Sequence, residues 1–166
     1  MDEFEKNYNR ALRFLSYRPR SEKEIKDYLQ KKSLYFKAPE EQKKEIDSMI
    51  SKIIDKLKEY KFLDDLEFAR MWIKERTRIK PRSLRVIKRE MQEKGIEKET
   101  IEELFSDREN EVPSDFQMAL VLAEKRAKRY KNLSKQEFFE KMGRYLASKG
   151  FNYDVIKEVV AKIIIN

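Results

Sequence analysis

A tripeptide, Pro19-Arg20-Ser21, returns as Pro81-Arg82-Ser83, and the helical pattern around it returns with it. At this offset of 62 residues Ile25 meets Ile87, Lys26 meets Lys88, Leu29 meets Met91, Gln30 meets Gln92 and Lys32 meets Lys94. A second echo, at an offset of 55, sets Lys94-Gly95-Ile96 against Lys149-Gly150-Phe151, Ile87 against Met142, Met91 against Leu146, Ile101 against Ile156 and Leu104 against Val159. Apolar positions recurring in this way are the trace of stacked helical modules. A module of about 50 residues has too small a core to be comfortable alone, so the modules are expected to lean on one another in series. The reading is all-α: three tandem three-helix modules, nine helices, in an elongated array. The modules are placed at 1–62, 63–109 and 110–166, the first with an extended third helix and about 15 extra residues between Lys32 and Ser48.

Local signals place the helices. Phe4, Tyr8, Ala11, Leu12 and Leu15 recur at helical spacing until Pro19 stops the run. Ser21 with Glu24, Ser114 with Gln117 and Ser134 with Glu137 are capping boxes, and Asp64 with Glu67 is a similar start. Ser33 to Ala38 reads as a short loop, with Pro39 in the first turn of a helix of about 20 residues that buries Ile46, Met49, Ile50, Ile53, Ile54 and Leu57. Phe68, Ala69, Trp72 and Ile73 share a face of the next helix, which puts Trp72 in the core. Ser106 to Pro113 reads as a loop. Gly95 and Gly150 suit the left-handed position after a helix end.

Charge follows the modules. The chain carries 39 Lys and Arg against 31 Asp and Glu, a formal +8. Residues 10–37 are +6, residues 70–94 are +7 and residues 114–149 are +5, whereas residues 38–69 are −3 and residues 95–112 are −5. The basic helices would line up as a stripe if the modules stack with constant rotation, a footprint for a nucleic-acid backbone or an acidic protein groove. Arg76, Arg78, Lys80, Arg82, Arg85, Lys88 and Arg89 crowd one loop and the helix after it. Arg82, Arg85 and Arg89 fall at i, i+3 and i+7, on one helical face. Arg18 and Arg20 occupy the matching loop of the first module, and Lys125, Arg126 and Arg129 end a helix of the third. These twelve are the candidate binding residues. With no aromatic strand platform in view, backbone contact is expected rather than base reading.

The chain has no His and no Cys. That removes the commonest general base, any His-containing triad, thiol nucleophiles and Cys-ligated zinc. Asp64-Asp65 could suggest a metal, but spacing identifies no further carboxylates around an ion, and a helix cap with a second acid in the first turn explains the pair. No stretch is long enough for a membrane span and the opening residues do not resemble a signal peptide, so a cytoplasmic protein is expected.

The segment Leu15-Ser16-Tyr17-Arg18-Pro19-Arg20-Ser21-Glu22-Lys23-Glu24-Ile25 resembles the opening Arg-x-Arg-Ser motif of the RecX family. Phe62-Leu63-Asp64-Asp65-Leu66-Glu67-Phe68-Ala69 is similar to its signature of an apolar pair, two acids and an aromatic-Ala pair. Arg76, Leu84-Arg85, Lys94-Gly95-Ile96 and Lys149-Gly150-Phe151 resemble its later pattern. Lys61 and Pro81 depart from it, standing where Gly is usual. The resemblance implies a curved helical array lying in the groove of the filament that the RecA recombinase forms on single-strand DNA. There it would modulate, usually inhibit, recombination, ATP turnover and coprotease activity in DNA repair and the SOS response. It implies no catalytic residue, cofactor or metal. The expected partners are the RecA filament and single-strand DNA, duplex more weakly, with the chain acting as a monomer. A general or sequence-reading DNA-binding protein that acts without RecA, and a carboxylate-metal nuclease, are the alternatives.

Overall fold

The computed structural model describes residues 2–107 and 112–165. Among the described residues there are nine α-helices and no strand. The first group is α1 (Glu3–Tyr17), α2 (Glu22–Lys32) and α3 (Glu40–Glu59). The second is α4 (Asp65–Lys74), α5 (Leu84–Glu93) and α6 (Lys98–Ser106); the third is α7 (Asp115–Ala127), α8 (Lys135–Ser148) and α9 (Tyr153–Ile165). Of the loop expected at 106–113, Ser106 instead closes α6, residues 107 and 112–113 are non-helical, and residues 108–111, with the boundary expected at 109/110, lie outside the described residues. No described helix is long and apolar enough to cross a membrane.

The capping signals do what their chemistry requires. Ser21, Ser114 and Ser134 each accept a hydrogen bond from the backbone N–H three residues on, and the Glu or Gln there returns the bond to the cap backbone. Asp64 Oδ1 accepts from the N–H groups of Leu66 and Glu67 at 2.9 and 3.0 Å. Other positions differ from the sequence reading. Pro39 is the cap of α3 rather than its first residue, and Tyr35–Lys37 forms a 3₁₀ turn inside the expected loop. The helical path of α4 does not stop at Lys74 but runs on through a π turn, Glu75–Ile79. The buried Thr77 hydroxyl donates to the Ile73 carbonyl at 2.8 Å, and the Lys80 N–H reaches back to Glu75, which widens the coil. Lys61 itself takes the left-handed conformation expected of a glycine, with φ 58°, and the Phe62 N–H closes on the Leu57 carbonyl at 2.8 Å.

The chain divides into two compact units, Met1–Ala69 with Gln92–Thr100, and Arg70–Met91 with Ile101–Asn166. In the first unit Ala11, Ile25, Leu29, Ile50, Ile53, Leu57 and Leu63 form a buried core. In the second, Met118, Ala119, Ala123, Met142, Leu146, Phe151, Ile156, Val159 and Val160 do so. Trp72 is half-buried, not in the core; its indole N–H donates to Glu90 Oε2 at 3.0 Å. A polar indole edge reaching a carboxylate keeps the ring at the rim.

Within each unit one junction ties a helix start to its neighbours, and the two junctions share a plan. In the first unit Asp65, opening α4, accepts the N–H of Glu22, the first residue of α2, at 2.7 Å. In the second, Asp115, opening α7, accepts the N–H of Leu84, the first residue of α5, at 2.7 Å. Each Asp therefore satisfies an N–H that has no partner inside its own helix. A glycine with positive φ closes each junction. A Cβ on Gly95 would lie 2.7 Å from Lys23 Cβ, and one on Gly150 would lie 2.3 Å from Val86 Cγ2 and 2.7 Å from Ser83 Oγ. In the second junction the Ser83 N–H also donates to the Lys149 carbonyl at 3.1 Å.

Asp65→Ala and Asp115→Ala should each lower unfolding free energy by about 1–2 kcal/mol in urea titrations, because a helix-start N–H loses its acceptor. Losses below a few tenths of a kcal/mol would show that water replaces the carboxylate without cost. Lys61→Gly should raise stability by roughly 0.5–1 kcal/mol, by relieving a left-handed lysine; an unchanged midpoint would contradict strain there.

Candidate nucleic-acid interface

The twelve candidate residues meet different fates. In the first unit Arg18, Arg20 and Lys94 converge on one carboxylate, Glu24. Arg18 Nη2 lies 2.6 Å, Lys94 Nζ 2.9 Å and Arg20 Nη1 3.8 Å from Glu24 Oε1. Arg20 also lies over the Phe14 ring, 3.7 Å from its centre, and Phe14 stacks on Tyr28 at 4.0 Å. That guanidinium is a packing element. Burial pushes the Glu24 carboxyl up, but hydrogen bonds from Arg18, Lys94 and the Ser21 N–H outweigh it and hold the group down to about 2. Asp65 goes the other way: burial raises it, against the lowering effect of the Glu22 N–H.

In the second unit several cations are likewise engaged. Arg76 Nε lies 2.8 Å from Glu90 Oε2, and its guanidinium covers the Trp72 ring at 4.6 Å. Lys88 pairs with Glu102 at 2.7 Å and sits 5.0 Å over Phe105. Lys80 reaches Glu75 at 3.3 Å, where both side chains are exposed and the pair adds little. Arg82 precedes the cap Ser83, so it does not share a helical face with Arg85 and Arg89 as the spacing suggested. Its Nη1 instead donates to the Ser148 carbonyl at 3.2 Å. Arg85 and Arg89 lie exposed on α5, and Arg78, Lys125 and Arg129 are exposed as well.

A third arrangement brings together residues from three helix ends. Arg126 Nε donates to the Tyr130 hydroxyl at 3.1 Å, and its guanidinium lies 4.7 Å from the Tyr145 ring centre. Lys149 Nζ lies over the same ring at 5.5 Å. Burial first, then the charges of Arg82 and Arg126, hold the Lys149 amine below the usual lysine range. Arg82, Arg126 and Lys149 thus crowd one another, and among the described residues none of them pairs with a carboxylate.

Comparison with known proteins decides the family. Three RecX family models match: the first three-helix domain at residues 8–33, the second at 64–104 and the third at 114–160. A protein of Clostridioides difficile named "Regulatory protein RecX" is 31% identical over 157 residues, covering 94% of this chain and 67% of that one. The chain belongs to the RecX family. The RecX protein of Bacillus subtilis is 36% identical over 162 residues, 98% of this chain, and that of Bacillus pumilus is 35% identical over 161, 96% of it. The chain spans 56% of the length of each of these Bacillus relatives. The crystal structure of RecX from Lactobacillus salivarius matches with a TM-score of 0.65 at 27% identity, covering 98% of this chain and 97% of that one.

The RecX signature Asp64-Asp65 has two separate tasks here: Asp64 caps its own helix and Asp65 caps α2. Among the described residues no three acidic side chains group as a metal site. Sequence reasoning missed Lys149 and Tyr145 as members of a cationic cluster, reading Lys149 only as a helix stop. It also missed an open cleft of about 650 Å³ in the first unit, lined by Lys6, Asn9, Arg10, Arg13, Tyr28 and Lys32. The net charge of residues 10–37 is the sequence signal for that cleft.

Glu24 yields a pH prediction. Its folded pKa lies below the ordinary carboxylate value, so its stabilisation is present above about pH 4.5 and is lost as pH falls toward 2. Allowing for solvent screening, wild type should lose about 2 kcal/mol across that window relative to Glu24→Gln, read from urea midpoints at each pH. Parallel curves for the two proteins would show that the cations do not hold the carboxylate.

Proposed function

We propose that this chain is a non-enzymatic regulator that binds the RecA–single-strand DNA filament and restrains RecA, lowering strand exchange, ATP turnover and coprotease activity. Its place in the RecX family, whose matched members are named regulatory proteins, supports a regulatory role. The observation that carries the nucleic-acid side of the reading is the set of exposed cations without an internal partner in the second unit. Arg78, Arg85, Lys125 and Arg129 lie at the surface, and no ion pair or side-chain hydrogen bond engages them among the described residues. Charges left free by the fold attract phosphate and release its counterions. The engaged residues Arg76 and Lys88 of the same unit serve mainly to shape the surface that presents the free ones. The partner repeats along its length, and a chain of repeated modules can engage it through several weak contacts that reinforce one another.

The test is RecA-catalysed strand exchange and DNA-dependent ATP hydrolysis with the full chain added. Wild type should inhibit both at concentrations below that of RecA. Arg78→Glu with Arg85→Glu should require at least about tenfold more protein for the same inhibition, with helicity and melting unchanged. Full inhibition by the folded double variant would remove these residues from the interface. No effect of wild type on either reaction would remove RecA as the target.

A further inference from the structure

The two junctions differ in whether a carboxylate stands among their cations. Ser21 corresponds to Ser83, Glu22 to Leu84 and Arg20 to Arg82 at the 62-residue offset, and Lys94 corresponds to Lys149 at the 55-residue offset. The structure bears out this correspondence, since Asp65 serves Glu22 as Asp115 serves Leu84, each at 2.7 Å. In the first junction the Arg and Lys meet Glu24. At the 62-residue offset the counterpart of Glu24 is Val86. The second junction therefore keeps the cations and lacks the acid, and it gains a further cation in Arg126.

We infer that the cluster of Arg82, Arg126 and Lys149 at the second junction is a phosphate-binding site for the backbone of a nucleic-acid strand, with the missing carboxylate supplied by the ligand. The geometry favours phosphate over a protein carboxylate. Elsewhere in this unit one arginine and one indole satisfy a carboxylate, as Arg76 and Trp72 do for Glu90. Here two guanidinium groups and an ammonium gather, and among the described residues none of them forms an ion pair with a carboxylate. Arg126 commits only Nε to Tyr130, which leaves both Nη groups to donate, and Arg82 commits one Nη1 bond to Ser148. The Nη groups of Arg126, the remaining N–H groups of Arg82 and the Lys149 ammonium are donors that suit the tetrahedral oxygens of phosphate. Arg126 and Lys149 both lie over the Tyr145 ring, and contacts to phosphate carry no base information, so binding is independent of sequence. The Tyr130 and Tyr145 rings hold Arg126 and Lys149 by cation–π attraction and the Ser148 carbonyl holds Arg82, which fixes their positions before the ligand arrives. The site rests on the nucleic-acid reading above but not on RecA.

The test restores the acid. Val86→Glu puts into the second junction the charge that Glu24 gives the first, while leaving every cation in place; Val86→Gln is the uncharged control. A fluorescein-labelled oligo(dT) without RecA is titrated by anisotropy across a salt series, with circular dichroism and melting as the check on folding. Val86→Glu should bind roughly fivefold to tenfold more weakly than Val86→Gln, with a shallower salt dependence. Lys149→Gln, which needs no space beside Gly150, should weaken binding similarly and lower the slope of log K against log salt by about 0.7. Equal affinities for folded Val86→Glu, Lys149→Gln and wild type would overturn the site. So would binding of poly-glutamate at this cluster with no displacement by oligo(dT). Tight binding to oligo(dT) that these variants lose, in a protein without effect on RecA, would uphold the site and sink the regulatory reading instead.

Discussion

The interaction on which the rest depends is a carboxylate accepting the first N–H of a helix that is not its own. A helix start leaves N–H groups that its own turns cannot satisfy, and a small module has few other ways to bury them. Asp65 and Asp115 solve this for α2 and α5. Each bond crosses from one three-helix group to another, so it joins the groups while finishing a helix. The tight turns at Gly95 and Gly150 bring backbone against the same helix starts, where a side chain would collide. Arginines and lysines fill in around this frame, and the carboxylate partners they find decide which of them remain available.

That division of labour accounts for the character of the basic surface. Arg76 beside Glu90 and Lys94 beside Glu24 are each held by a short, partly buried ion pair and an aromatic ring. Such a cation positions structure, and removing it would leave a half-buried acid uncompensated. A cation with no such partner can exchange its counterions for phosphate. The same repeat therefore produces a junction with a carboxylate among its cations in the first unit and one without it in the second, where Val86 stands in place of Glu24 and Arg126 joins the cluster.

Much of the fold was legible because helices announce themselves locally. Three capping boxes, the 3.6-residue spacing of Ile25, Leu29, Ile87 and Met91, and the two Lys-Gly stops gave the nine helices and their grouping. The π turn at Glu75–Ile79 was not legible, because it arises from Thr77 competing for a helix carbonyl, which no periodicity reports. Trp72 shares a face with Phe68 and Ala69, yet Glu90, 18 residues on, draws it to the rim. The candidate site was legible as charge but not as partnership. Arg20, Arg76 and Arg82 look alike in sequence; one stacks on Phe14, one pairs with Glu90, and one donates to the Ser148 carbonyl beside Lys149. Only the three-dimensional neighbours separate them, and those neighbours come from distant parts of the chain.

The most direct test of the whole account is fluorescence anisotropy of labelled single-strand DNA, bare and then coated with RecA and a non-hydrolysable nucleotide, titrated with this chain across a salt series. The account predicts much tighter binding to the coated strand with a shallow salt slope there, because protein contacts add to phosphate contacts, and a steep slope on bare DNA. Equal affinity and equal slope on the two substrates would contradict it and leave the basic surface as a general nucleic-acid binder.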